Sequence, residues 1–293
     1  MLSEVNPANR QAFLQRTFDG QVLKELIESS LTWLRTNQLL VNSLNVFPVP
    51  DGDTGTNMVL TLQSAYHEIS QSPEHNVGSM AHSLSSGALM GARGNSGVIL
   101  SQILRGFARG LDHLESIDMT SLATALNVAR DTAYKGVVRP VEGTILTVIK
   151  DVAAAVTNQL PQAANIVELM EVAVQAADES VLHTPELLPV LKEAGVVDSG
   201  GKGLFFILEG FLRAIDGLPL HIPITSVQPL AAMKLDHAME NIEPGQDYEI
   251  VVDFTPRSEL NMGQFYESLE QMGTSIQLGE GDGMYRMHIH VPT

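Results

Sequence analysis

The chain has 293 residues, 44% of them apolar and none of them cysteine, and its 17 Lys+Arg against 34 Asp+Glu leave a formal net charge of −17. That length gives about two domains with material for a sizeable core, and the lack of cysteine excludes disulfides and thiolate metal sites. The acidic balance argues against a nucleic-acid partner, which needs surplus cations, and it repels a free triphosphate, so phosphate chemistry here requires divalent cations and backbone N–H groups in place of a lysine cradle.

Over residues 17–36, Val22, Leu23, Leu26, Ile27, Leu31 and Leu34 recur at helical spacing, which predicts a helix with one buried face. Pro48 and Pro50 prevent residues 44–50 from continuing it. A second helix is expected to begin near Thr56 and to end before Pro73. Further helices are predicted over 78–90, 98–111, 121–134, 144–159, 167–182 and 204–215, most of them rich in Ala, Leu, Met or Gln. With short connections, these make an all-α eight-helix bundle over residues 14–218.

Residues 216–246 hold four prolines and little periodicity, so a linker is placed at 219–246. Beyond it, residues 247–293 read as strand 248–254, helix 260–272, strand 275–278 and strand 284–291, a partial α+β module. Its strands are left short of partners, so a fragment of a longer chain is expected. No run of about 18 apolar residues occurs, and residues 1–13 lack the apolar core of a secretion signal. A cytoplasmic protein without membrane insertion is the expectation.

Three loops carry candidate chemistry. In the first, Asp51 and Asp53 flank Gly52 and precede Thr54, Gly55, Thr56 and Asn57. Two carboxylates in a glycine-punctuated turn can converge on a hard cation, with Asn45 adding a carbonyl oxygen. The residues that follow open a helix, whose N-terminus suits phosphate. A plain Asp-Gly-Asp surface turn with Thr56 as helix cap is the alternative. An EF-hand is rejected, because Leu62 stands where its closing Glu belongs. Neither GxxxxGK[ST] nor GxGxxG is present.

The second loop region comprises Ser85-Ser86-Gly87 and Gly91 through Gly97, with Arg93, Asn95 and Ser96 as donors; tight helix packing explains the small residues equally well. The third, Val197-Asp198-Ser199-Gly200-Gly201-Lys202-Gly203, is a glycine-rich turn before a helix, with Asp198 or Ser199 as a plain cap in the alternative reading. His288 and His290 fall on one face of a strand, where two imidazoles can ligate Zn²⁺ or form a half-buried face. His82, His183, Phe205 and Phe206 read as core or surface residues.

The segments NVFPVPDGDTGTNM, SSGALMGARGNSGVILSQILRGF, RPVEGT and VDSGGKGLFFILEG resemble the fatty acid kinase family, whose N-terminal domain is similar to the nucleotide-binding subunit of dihydroxyacetone kinase. The resemblance covers residues 20–217. It implies an eight-helix barrel that holds ATP through two Mg²⁺ ions on a cluster of acidic residues. Asp51 and Asp53 match that cluster and are the implied catalytic pair, and Asn45 falls near its first member with one residue of offset. It further implies phosphate contacts from Thr54, Gly55, Thr56 and Asn57, a nucleotide wall of Ser85 and Ser86, and Thr144 and Ile145 near the base. Asp198, Ser199 and Gly200 match a closing Asp-Pro-Gly loop, with Ser replacing Pro. In relatives a cysteine joins the His-x-His pair to bind zinc; here the nearest matching position holds Glu249, a departure from the pattern.

The function expected from the resemblance is a kinase subunit that phosphorylates a fatty acid carboxylate presented by a separate fatty-acid-binding protein. A carboxylate is ionised at neutral pH, so no general base is required. A nucleotide-binding regulatory module without turnover and a dihydroxyacetone-type kinase subunit are the alternatives. A homodimer is left open.

Overall fold

A computed structural model describes residues 6–222, 248–257, 260–281 and 284–292. The linker predicted at 219–246 therefore lies, from residue 223 onward, outside the described residues.

Among the described residues the helical part contains eight long helices: α2 (Gly20–Thr36), α4 (Thr54–Ile69), α5 (Val77–Met90), α6 (Gly94–Gly110), α7 (Met119–Lys135), α8 (Ile145–Gln159), α9 (Ile166–Leu187) and α11 (Ser199–Asp216). Three short ones, α1 (Pro7–Leu14), α3 (Gln38–Ser43) and α10 (Pro189–Ala194), are added to those predicted. Six or eight residues are too few to display a 3.6-residue period, so the pattern gave no sign of them. Successive long helices pack on one another from α4 to α9, and α11 packs on both α9 and α2. Among the described residues no helix is long and apolar enough to cross a membrane.

Several helices begin earlier than their apolar periodicity. Helix α6 starts at Gly94 and α11 at Ser199, so the small residues read as loops form first turns. Helix α9 continues through Pro185 to Leu187, since a proline near the C-terminal end removes little of the hydrogen-bond ladder. The apolar stripes meet in one core in which Trp33, Leu34, Met58, Leu62 and Phe206 are fully buried. Each such side chain contributes about 1.5–3 kcal/mol by leaving water. Gly210 lets α11 approach α2 closely: a Cβ there would lie 2.6 Å from the Ser30 Cα. The Ser30 hydroxyl donates to the Ile207 carbonyl at 2.6 Å across the same contact.

The C-terminal elements are β1 (Tyr248–Phe254), α12 (Met262–Glu270), β2 (Thr274–Gly281) and β3 (Met284–Val291). The sheet is antiparallel in the order β1-β3-β2. Met287 and Ile289 pack with Leu269, Ile276 and Leu278 in a small second core. The alternate residues of β3 face the helical part. There the Arg286 guanidinium donates to the Leu89 carbonyl at 2.7 Å and pairs with Asp253 at 2.5 Å. Leu278 N–H donates to the Gly136 carbonyl at 3.2 Å, and Arg139 pairs with Glu270 at 2.9 Å.

Candidate functional site

Four helix N-termini open onto one cavity of about 490 Å³, a volume typical of small-molecule sites. Asp53, Thr54 and Asn57 line it from the start of α4, and Gly94, Asn95 and Ser96 from the start of α6. Thr144 and Ile145 come from the start of α8, and Asp198, Ser199 and Gly200 from the start of α11. Each N-terminus carries about half a positive charge, so their convergence favours a polyanion.

The four ends differ in how they are capped. Thr144 accepts from Leu146 N–H at 3.3 Å and Asp198 accepts from Gly201 N–H at 2.7 Å, which satisfies part of α8 and α11. Neither Asp53 nor Arg93 spends its side chain on the first turn of α4 or α6. Asn42 Oδ1 takes the Thr56 N–H of α4 at 3.0 Å, so the end most open to a ligand is that of α6.

The Asp51 and Asp53 side chains lie against each other at the cavity. The protein around the Asp51 carboxyl desolvates it, and the charge and hydrogen-bonding contact of Asp53 add to the effect; together they push Asp51 up to about 7. One flank of Asp51 stays open to solvent. A pair of carboxylate oxygens that repel each other fits a hard divalent cation, which would complete its shell with water and phosphate oxygens. Asn45 is buried in the cavity wall, where its Nδ2 donates to the Val49 carbonyl at 2.5 Å and its Oδ1 accepts from the Thr54 hydroxyl. Its amide thus clamps the turn that contains the cis Phe47-Pro48 bond.

Thr54 and Asn57 line the cavity, while Gly55 and Thr56 turn toward α3. A Cβ on Gly55 would lie 2.5 Å from the Gln38 carbonyl oxygen. The Thr56 hydroxyl accepts from Gln38 Nε2 at 2.9 Å and Asn42 Nδ2 at 3.0 Å, and its N–H donates to Asn42 Oδ1 at 3.0 Å. The hydroxyl and N–H of Thr56 are thus taken by α3, an element absent from the predicted set, and Gly55 packs against it. Ser85 and Ser86 lie on α5 away from the cavity wall, and the Ser85 hydroxyl donates to the His82 carbonyl at 2.8 Å.

Thr144, Ile145, Asp198, Ser199 and Gly200 all line the cavity. The Asp198 carboxyl also accepts from Ile145 N–H, and Asp198 N–H donates to Thr184 Oγ1 at 3.0 Å, so one residue ties α8, α9 and α11 together. Burial pushes Asp198 up to about 7 against the lowering effect of those hydrogen bonds.

The small residues of the second loop region serve both readings. A Cβ on Gly91 would lie 2.1 Å from the Ser64 Cβ and one on Gly97 would lie 2.4 Å from Thr61 Oγ1, which is close packing. The residues between them, 94–96, reach the cavity.

The sheet closes another side with Gln277, His288 and His290, joined by Arg139 from the segment before α8. The histidine rings share a face, with centroids 4.9 Å apart. Glu249 is the register partner of His290. Among the described residues no cluster of three His, Asp or Glu side chains suited to a metal is present. Gln277 was not singled out from the sequence, where a lone Gln on a short strand carries no signal. Arg139 stands in the RPVEGT segment.

The family described as DAK2 domain matches residues 48–213. Protein YloV of Bacillus subtilis (strain 168) is 43% identical over 285 residues, covering 94% of this chain and 51% of that protein. A Staphylococcus epidermidis protein is 40% identical over 279 residues, covering 93% of this chain and 50% of that one. The chain thus spans about half the length of the curated relatives it matches. Among solved structures, the dihydroxyacetone kinase from C. freundii in complex with AMP-PNP and Mg²⁺ aligns with a TM-score of 0.49 at 17% identity, covering 73% of this chain and 36% of that one.

Proposed function

The chain belongs to the DAK2 domain family, and from that premise we propose that it is the Mg²⁺-dependent ATP-binding part of a kinase whose acceptor is a fatty acid carboxylate presented by a separate fatty-acid-binding protein. The observation that carries the reading is the convergence of four helix N-termini and the Asp51–Asp53 pair on one cavity. The motif resemblance to the fatty acid kinase family supports the choice of acceptor.

Asp51 and Asp53 would hold Mg²⁺, which when bound neutralises phosphate charge. The open N–H groups at the start of α6 orient the phosphates in place of a lysine, which suits a chain of net charge −17. Ile145 and Leu146 supply apolar wall for the nucleoside. Because transfer asks mainly for positioning and charge neutralisation, and the acceptor is already ionised, no residue need remove a proton.

Incubating the purified chain with γ-labelled ATP and Mg²⁺, with and without a fatty-acid-loaded binding protein, tests this. Acyl phosphate formed only with the loaded partner is the expected result. ATP retained without transfer would replace the reading with a regulatory nucleotide-binding module, and labelled dihydroxyacetone phosphate, on adding that sugar, would replace it with a sugar kinase.

A further inference from the structure

The sheet wall of the cavity holds a polar atom for which the nucleotide reading has so far given no role. Gln277 on β2 is only 6% exposed and lines the cavity. Its Nε2 donates to Asn95 Oδ1 at 2.7 Å, at the start of α6, and its backbone bridges to Val137. Its Oε1 is buried and has no hydrogen-bond partner among the described residues. A buried amide oxygen left without a donor is disfavoured, and native proteins rarely keep one without a reason. The Asn95 oxygen takes the amide nitrogen, which leaves the amide oxygen for another partner. The unpartnered Asn37 Oδ1, by contrast, lies at the α2–α3 junction and does not line the cavity.

Resting on the nucleotide reading, we propose that Gln277 Oε1 accepts a hydrogen bond from an N–H or O–H donor of the bound nucleoside, which makes Gln277 a specificity-determining residue supplied by the C-terminal sheet. Metal-bound phosphate oxygens and an ionised carboxylate are acceptors and cannot satisfy it. The donors an adenosine nucleotide offers are the 6-amino group of the base and the ribose hydroxyls.

Calorimetry on the full chain with Mg²⁺ and ATP, inosine triphosphate, 2′-deoxy-ATP and 3′-deoxy-ATP separates these sources. The wild type is expected to bind one analogue about tenfold more weakly than ATP. Gln277→Leu is expected to lose about tenfold on ATP and nothing further on that analogue. Weakened inosine triphosphate assigns the amino group; a weakened deoxy nucleotide assigns the hydroxyl. A loss in Gln277→Leu that is the same for every nucleotide overturns the proposal. So does a wild type that binds all four alike, a result that needs no variant to fold. A wild type that binds ATP without discrimination sinks this inference alone, whereas one that binds no nucleotide sinks the nucleotide reading with it.

Discussion

Ser199 donates its hydroxyl to Thr54 Oγ1 at 3.2 Å, and Thr54 passes its own proton on to Asn45 Oδ1. This chain of three buried side chains joins the start of α11 to the start of α4 and to the proline-rich turn, so the first and third sequence motifs form one wall of the cavity.

Thr54→Val keeps the shape but strips both neighbours of their partner. It should cost about 1–3 kcal/mol in chemical denaturation and weaken nucleotide binding, while Thr54→Ser should recover most of both. Unchanged stability in Thr54→Val would show that the chain of hydroxyls contributes little.

Asp51→Asn should abolish Mg²⁺-dependent ATP binding yet leave the helical circular-dichroism signal intact, because the residue precedes α4 and lies outside the core. At pH 8 the metal-free variant should melt no lower than the wild type, since it removes a charge that Asp53 repels. With Asp51 pushed up to about 7, much of it is protonated at pH 6. Mg²⁺ needs the ionised form, so loading at pH 6 should release a proton and affinity should rise toward pH 8. Calorimetry in buffers of different ionisation enthalpy measures this; zero proton uptake or release at pH 6 would count against the pairing.

Asp198 gives a stability signature in the metal-free protein. Its folded value, about 7, lies above the usual 3.8, so its contribution is fully present below about pH 4 and is lost as pH rises through 7. Asp198→Asn stands in for the protonated carboxyl, with an amide oxygen to accept from the Gly201 and Ile145 N–H groups. It should match the wild type near pH 4 and become more stable than it between pH 4 and 7, by on the order of a few kcal/mol. A difference that stays constant across that range would mean that Asp198 titrates normally.

Gly94 has φ +53, and a Cβ there would lie 2.4 Å from Asn57 Nδ2. Gly94→Ala should cost about 1 kcal/mol in strain and also displace Asn57 from the cavity wall, lowering nucleotide affinity. Gly195→Ala is the control: φ is +69 but nothing lies within 4 Å, so it should lose similar stability and no affinity. Equal binding losses in the two variants would refute a role for the α4–α6 contact.

The eight long helices were legible because each repeats its apolar residues over enough length to show a 3.6-residue period, and the β-α-β-β order because residues 248–254 are rich in β-formers and residues 284–291 alternate. The carboxylate pair was equally legible, because residues two apart around a glycine stay together whatever the rest of the chain does. The sequence also marked the three small-residue loops as sites of close backbone approach, yet it left open whether the neighbour would be a ligand or another helix. Only the tertiary structure decided that, residue by residue. Helix α3, too short to carry a period, takes the hydroxyl and N–H of Thr56 with Gln38 and Asn42, while Thr54 two residues earlier meets Ser199 in the cavity wall. In the same way β2, far along the chain, carries Gln277 onto Asn95. Local patterns fix what the backbone nearby becomes, because propensity and period act over a few residues. Which donors stay open for a ligand depends on partners from 14 to 182 residues away, and that is set by packing alone.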